Sequence, residues 1–307
     1  MTIVNTIAPI FIIIATGFFI QRYGFLRKDF FEEANRFVFF FSLPFLIFTG
    51  IAKSDPSAFG LGTVASVILP TLAILILSLV LGRLFKLRLS TLGTFTQISF
   101  HGNVSYIGLA ILFYMLGEDG LRQGSVMVAV LIVANNVLAT IILELTGSSA
   151  PSRHWLRPFL AVLRNPVVIA SFLGVFVLFS GMRLPVMVTR SMTILANIAL
   201  PMALITIGTS LAVPALKKSL KLSIIASILK LFVLPLLALF SSRIFDVPAG
   251  QASAAILLLA TPAATTSYIM AQEMGGDAEL ASNSVTLTIL LSAFTFVGWG
   301  LYLGIGR

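Results

Sequence analysis

The chain has 307 residues, 58% of them hydrophobic and only 10% charged, where a soluble domain carries about 25% charged residues. That composition excludes a separate soluble domain and predicts an integral membrane protein. The net charge of +9 is spread over short loops between apolar runs, so it reads as membrane orientation and contact with anionic lipid, not nucleic acid. No cysteine is present, which excludes disulfides and thiol chemistry. The first residues, Met1-Thr2-Ile3-Val4-Asn5, lack the positive stretch of a cleaved signal peptide, so the first apolar run is expected to stay as a helix.

Apolar runs fall at roughly 4–21, 31–52, 63–85, 91–116, 121–146, 166–183, 189–212, 219–242, 251–274 and 279–303. A crossing helix needs about 20 apolar residues, so the pattern predicts ten spans. Pro9, Pro44, Pro70, Pro201 and Pro235 lie inside spans and read as packing kinks. Span 4 is cut at its centre by Phe100-His101-Gly102-Asn103-Val104-Ser105-Tyr106. Span 9 is cut likewise by Leu259-Ala260-Thr261-Pro262-Ala263-Ala264-Thr265-Thr266-Ser267-Tyr268. Broken backbone at membrane depth survives only inside protein or beside a watery cavity. Two interrupted spans at matching places in two halves point to a transporter's binding site.

One set of loops holds Arg22, Arg27, Lys28, Arg36, Arg83, Lys86, Arg88, Arg153, Arg157, Arg164, Lys217, Lys218 and Lys221. The other side has only Lys53, Arg122, Arg183, Arg190, Arg243 and Arg307. Positive charge concentrates on the cytoplasmic side, so both termini of this multi-pass protein are expected on the outer side of the cell (inner) membrane.

The halves resemble one another. Ala34-Asn35 with Leu43-Pro44 and Gly50 is echoed by Ala196-Asn197, Leu200-Pro201 and Gly208. Arg83-Leu84-Phe85 is echoed by Arg243-Ile244-Phe245, and the stretch 117–126 by 276–285. Five spans per half is odd, which makes the repeat inverted. The chain divides into 1–150, a cytoplasmic linker 151–165 within a polar, turn-rich stretch, and 166–307. Spans 1, 2, 6 and 7 are expected to form a scaffold, and spans 3–5 and 8–10 a moving bundle.

Several stretches are similar to the auxin efflux carrier family of secondary transporters. They are Ala34-Asn35 with Leu43-Pro44, the run 102–109 with Leu116-Gly117-Glu118-Asp119-Gly120, Arg164-Asn165-Pro166-Val167-Val168, the run 195–204 with Gly208, and Ala260-Thr261-Pro262-Ala263 with Gly275-Gly276-Asp277. The resemblance covers nearly the whole chain. It implies an all-α membrane protein of ten helices in two inverted five-helix repeats, with helices 4 and 9 broken and crossing. It also implies transport of small organic anions. The family's asparagine at the first break falls on Asn103 and its second-break proline on Pro262. The sequence departs from the family where many members have proline before that asparagine, since Gly102 stands there, with His101 ahead of it. A long cytosolic loop found in plant members is missing, so the likeness is to a bacterial-type carrier.

Asn103, with Gly102 and Ser105, is the leading candidate for holding a carboxylate, since half-helix N-termini offer free amides and partial positive charge; the plainer alternative is a helix cap. On the second break Pro262, Thr265 and Thr266 supply an unwound chain and hydroxyls, for substrate or for capping. His101 is either a proton-coupling group or a neutral side chain satisfied by a carbonyl. Lys230, inside span 8, either places positive charge at the crossing or snorkels to the interface. Asn135 and Asn136 either line the cavity or bond between helices. Asn35 and Asn197 read as packing residues. His154 falls in the linker and reads as solvent-facing. No metal motif, Walker loop or paired-aspartate protease pattern occurs, so no metal, cofactor or enzyme activity is predicted. The expected partners are a small carboxylate, the lipid bilayer and a possible second copy in a homodimer. A sodium-coupled bile-acid-type symporter and a non-transporting sensor or channel are the alternatives.

Overall fold

A computed structural model of the chain describes residues 3–56, 60–147, 164–211 and 219–305, apart from the side chain of Lys28. The expected linker 151–165 lies almost wholly outside the described residues, as do His154, Arg153, Arg157, Lys217, Lys218 and Arg307. Among the described residues the chain is helical, with no strand beyond one isolated antiparallel bridge. The helices are α1 (Ile3–Tyr23), α2 (Lys28–Phe37), α3 (Leu43–Ala52), α4 (Leu61–Leu84), α5 (Leu89–Phe100), α6 (Leu109–Thr146) and α7 (Pro166–Ser180). The remainder are α8 (Val186–Ala196), α9 (Ala199–Thr209), α10 (Leu220–Ile228), α11 (Leu234–Ile244), α12 (Ala249–Leu259), α13 (Thr266–Glu273) and α14 (Ala278–Tyr302).

Among the described residues seven helical stretches are long and apolar enough to cross a membrane, and two shorter apolar helices, Pro166–Ser180 and Ala249–Leu259, accompany them. At 1.5 Å per residue α6 would run roughly 57 Å, nearly twice the hydrocarbon thickness. It is interrupted at Gly117, whose φ of +71° only glycine adopts freely. Wide π turns at Val38–Ser42 and Leu229–Val233 join α2 to α3 and α10 to α11. Pro44 and Pro235 follow these turns at the first positions of α3 and α11. A proline ring clashes with the carbonyl four residues back, and a locally wider turn relieves that clash. These two prolines are therefore not simple kinks. In the second turn the Trp299 indole donates to the carbonyl of Leu231 at 3.0 Å.

Glycine sets a close helix contact. α1 packs on α9, where a Cβ on Gly17 would come within 2.1 Å of the Ile205 carbonyl and one on Gly208 within 1.9 Å of the Ile14 carbonyl. Small residues let backbones approach in a membrane, where lipid is as apolar as leucine. α3 packs on α7 and α8, while α4 packs on α5 and α11, and α12 packs on α6 and α11.

Candidate functional site

The two sequence breaks meet. α5 ends at Phe100, and His101 (φ −74°, ψ 91°) and Asn103 (φ −79°, ψ 64°) leave the helix before a π turn, Val104–Gly108, leads into α6. α12 ends at Leu259, and α13 starts at Thr266. Between them Gly102 pairs antiparallel with Ala263. The Asn103 amide donates to the Pro262 carbonyl at 2.8 Å, and the Ala264 amide donates to the His101 carbonyl at 2.9 Å.

The second break is satisfied group by group. Pro262 has no N–H for the carbonyl of Leu258, which instead accepts from the Thr261 hydroxyl at 2.6 Å. The amide of Ala263 donates sideways to the Thr288 hydroxyl at 3.1 Å. That leaves the Leu259 carbonyl, which accepts from Lys230 Nζ at 2.8 Å. Side chains thus take up backbone groups that the break frees, as membrane depth demands.

Lys230 is therefore 0% exposed and bound at the crossing; the snorkelling alternative does not describe it. The π turn that carries it aims its side chain inward instead of toward lipid headgroups. Its Nζ lies 2.8 Å from where a Cβ on Gly102 would sit, and Thr261 Oγ1 lies 2.5 Å from that point. Only a residue without a Cβ fits between them. This gives a physical reason for glycine at this place.

A cavity of about 460 Å³ opens from the crossing. His101, Gly102, Asn103, Ser105, Thr265 and Thr266 line it from the breaks, and Asn135 and Asn136 line it from α6. Pro262 does not line it; its carbonyl holds Asn103 from behind. Asn103 Oδ1 accepts from the Tyr106 amide at 3.2 Å, so the side chain does cap the following helix, and it faces the cavity as well. Asn136 Nδ2 donates to Ile132 of its own helix at 2.8 Å, while Asn135 Oδ1 is buried without a partner. Neither makes an interhelical hydrogen bond among the described residues. His101 is buried, and its Nδ1 has no partner. No carbonyl satisfies it there.

The sequence reading missed much of the wall. Asn35, expected to pack, lines the cavity and accepts from the Tyr106 hydroxyl at 2.7 Å. Gln21, Glu32, Asn165, Thr206, Thr209 and Ser210 also line it. Their shared signal is a polar residue near a span end, which looks like ordinary interfacial chemistry in sequence alone. Asn165 could have been found from its motif, since it caps α7 ahead of Pro166 and accepts from Val167 at 2.9 Å.

A second cavity, also about 460 Å³, is lined by Thr49, Lys53, Glu118, Arg122, Thr193 and Asn197 with neighbouring apolar groups. The first cavity touches the start of the stretch Asp29–Ala52 and the end of Val186–Thr209; the second touches the far end of Asp29–Ala52 and the middle of Val186–Thr209. Asp29–Ala52 is 24 residues long, roughly 36 Å, so the cavities lie toward opposite ends of that stretch. Asn35 is in one and its sequence counterpart Asn197 is in the other. Arg122 pairs with Glu118 at 3.3 Å and Asp119 at 3.2 Å in the second. These pairs are exposed and contribute little stability. No cluster of metal-ligating side chains occurs among the described residues.

A family model described as "Membrane transport protein" matches residues 2–160 and 151–300. An uncharacterized transporter of Methanocaldococcus jannaschii is 25% identical, the match covering 96% of this chain and 97% of the relative. A Rhizobium meliloti protein described as "Putative malonate transporter" is 26% identical over 96% of this chain and 94% of its own length. An uncharacterized transporter of Methanothermobacter thermautotrophicus is 23% identical over 97% and 98%.

Proposed function

This chain belongs to the membrane transport protein family, which takes in the auxin efflux carriers, and we propose that it is a secondary carrier for a small carboxylate. One observation carries the proposal: the Gly102–Ala263 pairing joins two interrupted helices at the inner end of a polar cavity. The relative described as a malonate transporter supports a short organic acid as cargo. The carboxylate would sit against Asn103, Ser105, Thr265 and Thr266, with Lys230 supplying positive charge from behind Gly102.

In this reading the chain makes ten crossings in two inverted halves. The short helices α5 and α12 pair with the helices after their breaks to complete spans 4 and 9. Both termini face outward in the inner membrane, and the Asn35 cavity opens to the cytoplasm. Spans 3–5 and 8–10 move against spans 1, 2, 6 and 7, closing that cavity and opening the one beside Asn197. Binding needs no covalent step, only replacement of the anion's hydration by amides and hydroxyls. His101 and Lys230 are the coupling groups, since both flank the glycine at the crossing.

Counterflow in proteoliposomes tests the carrier. Vesicles loaded with unlabelled malonate should accumulate labelled malonate transiently and saturably, without a sodium gradient. Linear, non-saturating flux would identify a channel, and an absolute sodium requirement would identify a sodium symporter.

A further inference from the structure

Span 8 carries its buried lysine on a turn that a proline disturbs. Pro235 has no N–H, so the Leu231 carbonyl, four residues back, lacks its ordinary helical donor. The wide turn Leu229–Val233 carries that carbonyl past the proline ring, where a donor from another helix meets it. The donor is the indole N–H of Trp299 on α14, at 3.0 Å. Inside a membrane a bare carbonyl is costly, because lipid supplies no donor.

Lys230 is the residue next to this carbonyl. Leu229, Lys230 and Leu231 are buried together, whereas Phe232, one position on, is 51% exposed. The turn therefore divides sharply between crossing and lipid, and a rotation about its axis would swing the lysine away. Two hydrogen bonds from its neighbours oppose that rotation. Lys230 Nζ donates to the Leu259 carbonyl at 2.8 Å, and the Trp299 indole holds the Leu231 carbonyl. The indole is itself held. Its ring meets Tyr302 edge-on with centroids 6.0 Å apart, and the Tyr302 hydroxyl accepts from Arg243 of α11 at 3.0 Å. Beside it, a Cβ on Gly300 would meet Ile3 of α1 at 2.5 Å and Met115 of α6 at 2.8 Å, so this end of α14 is packed closely.

We propose, resting on the reading that Lys230 supplies positive charge for the carboxylate, that Trp299 is a positioning residue. Its N–H, by holding the Leu231 carbonyl, keeps the Lys230 amine behind Gly102. Trp299 lies on neither break and lines neither of the two polar cavities. Its influence on the anion passes through the lysine.

The test removes the N–H and keeps the shape, by replacing Trp299 with its benzothiophene isostere, in which sulfur stands for the indole nitrogen. The chain has two tryptophans, so the parent for this replacement is Trp155→Phe. Malonate is titrated onto the purified full-length carrier, with Lys230 present and in Lys230→Met. With the lysine present, the isostere should weaken binding about fivefold, the factor expected for one lost hydrogen bond. In Lys230→Met it should weaken binding by less than about twofold. Thermal stability should fall in both backgrounds, since the carbonyl loses its donor in each. Trp299→Phe is the second variant and should behave alike. Equal weakening in both backgrounds, or none with the lysine present, would overturn the positioning role and leave the carrier reading intact. Lys230→Met binding malonate as tightly as the parent would overturn the charge role of Lys230, and this inference with it. A parent that binds no malonate would overturn the carboxylate reading as well.

Discussion

At the scale of single residues, the crossing depends on side chains that are either absent or aimed inward. Gly102 has no Cβ, and Lys230 and Thr261 fill the space a Cβ would need. Gly102→Ala should therefore push Lys230 from the Leu259 carbonyl and cost about 1–3 kcal/mol, measurable as reduced thermal stability together with lost counterflow. Unchanged stability and flux would show that the contact is loose. Lys230→Met removes the side-chain donor to the Leu259 carbonyl. A buried acceptor left unpaired costs about 1–3 kcal/mol, so this variant should melt lower and bind malonate less well. Asn103 has two tasks that substitution separates. Serine is as good a cap as asparagine, so Asn103→Ser should keep stability within about 1 kcal/mol while affinity for malonate falls at least tenfold. If affinity is retained, the side chain is a cap alone.

Elements are where sequence and structure agree best, and where their differences are most physical. The interruptions near Asn103 and Pro262 are legible because glycine, asparagine and proline disrupt an otherwise apolar period. That the two breaks face each other is legible only from the assumption that exposed backbone must find shelter at membrane depth. The π turns before Pro44 and Pro235 are not legible, since a one-residue widening leaves no mark in composition. The roles of Asn35 and Gln21 are hidden for another reason. A polar residue one or two turns inside a span end serves equally for packing, interface or cavity, and its neighbours across the helix bundle decide which. The α1–α9 contact makes a prediction at this scale. Gly208→Leu would force a side chain into the Ile14 carbonyl, so α1 and α9 should separate. The expected result is loss of folded protein in detergent, read by size-exclusion profile. A normal profile would mean that the two helices can part without unfolding the whole.

Among the described residues, one cavity is bounded by Asn35 and another by Asn197, toward opposite ends of the stretch Asp29–Ala52, with the crossing reached from the first. Alternating access needs the crossing to be reached from each side in turn, and the matching positions of the two asparagines fit that motion. A pair of breaks that each hold part of one ligand should also be protected by that ligand together. The chain contains no cysteine, so single thiols can be introduced without background. The most direct measurement is thiol labelling of Ser105→Cys, on the first break, and Thr265→Cys, on the second. Both side chains should react with a small polar reagent, and malonate should protect both with the same concentration dependence. Labelling of either thiol that is indifferent to a substrate the carrier still transports would contradict an anion held between the two breaks.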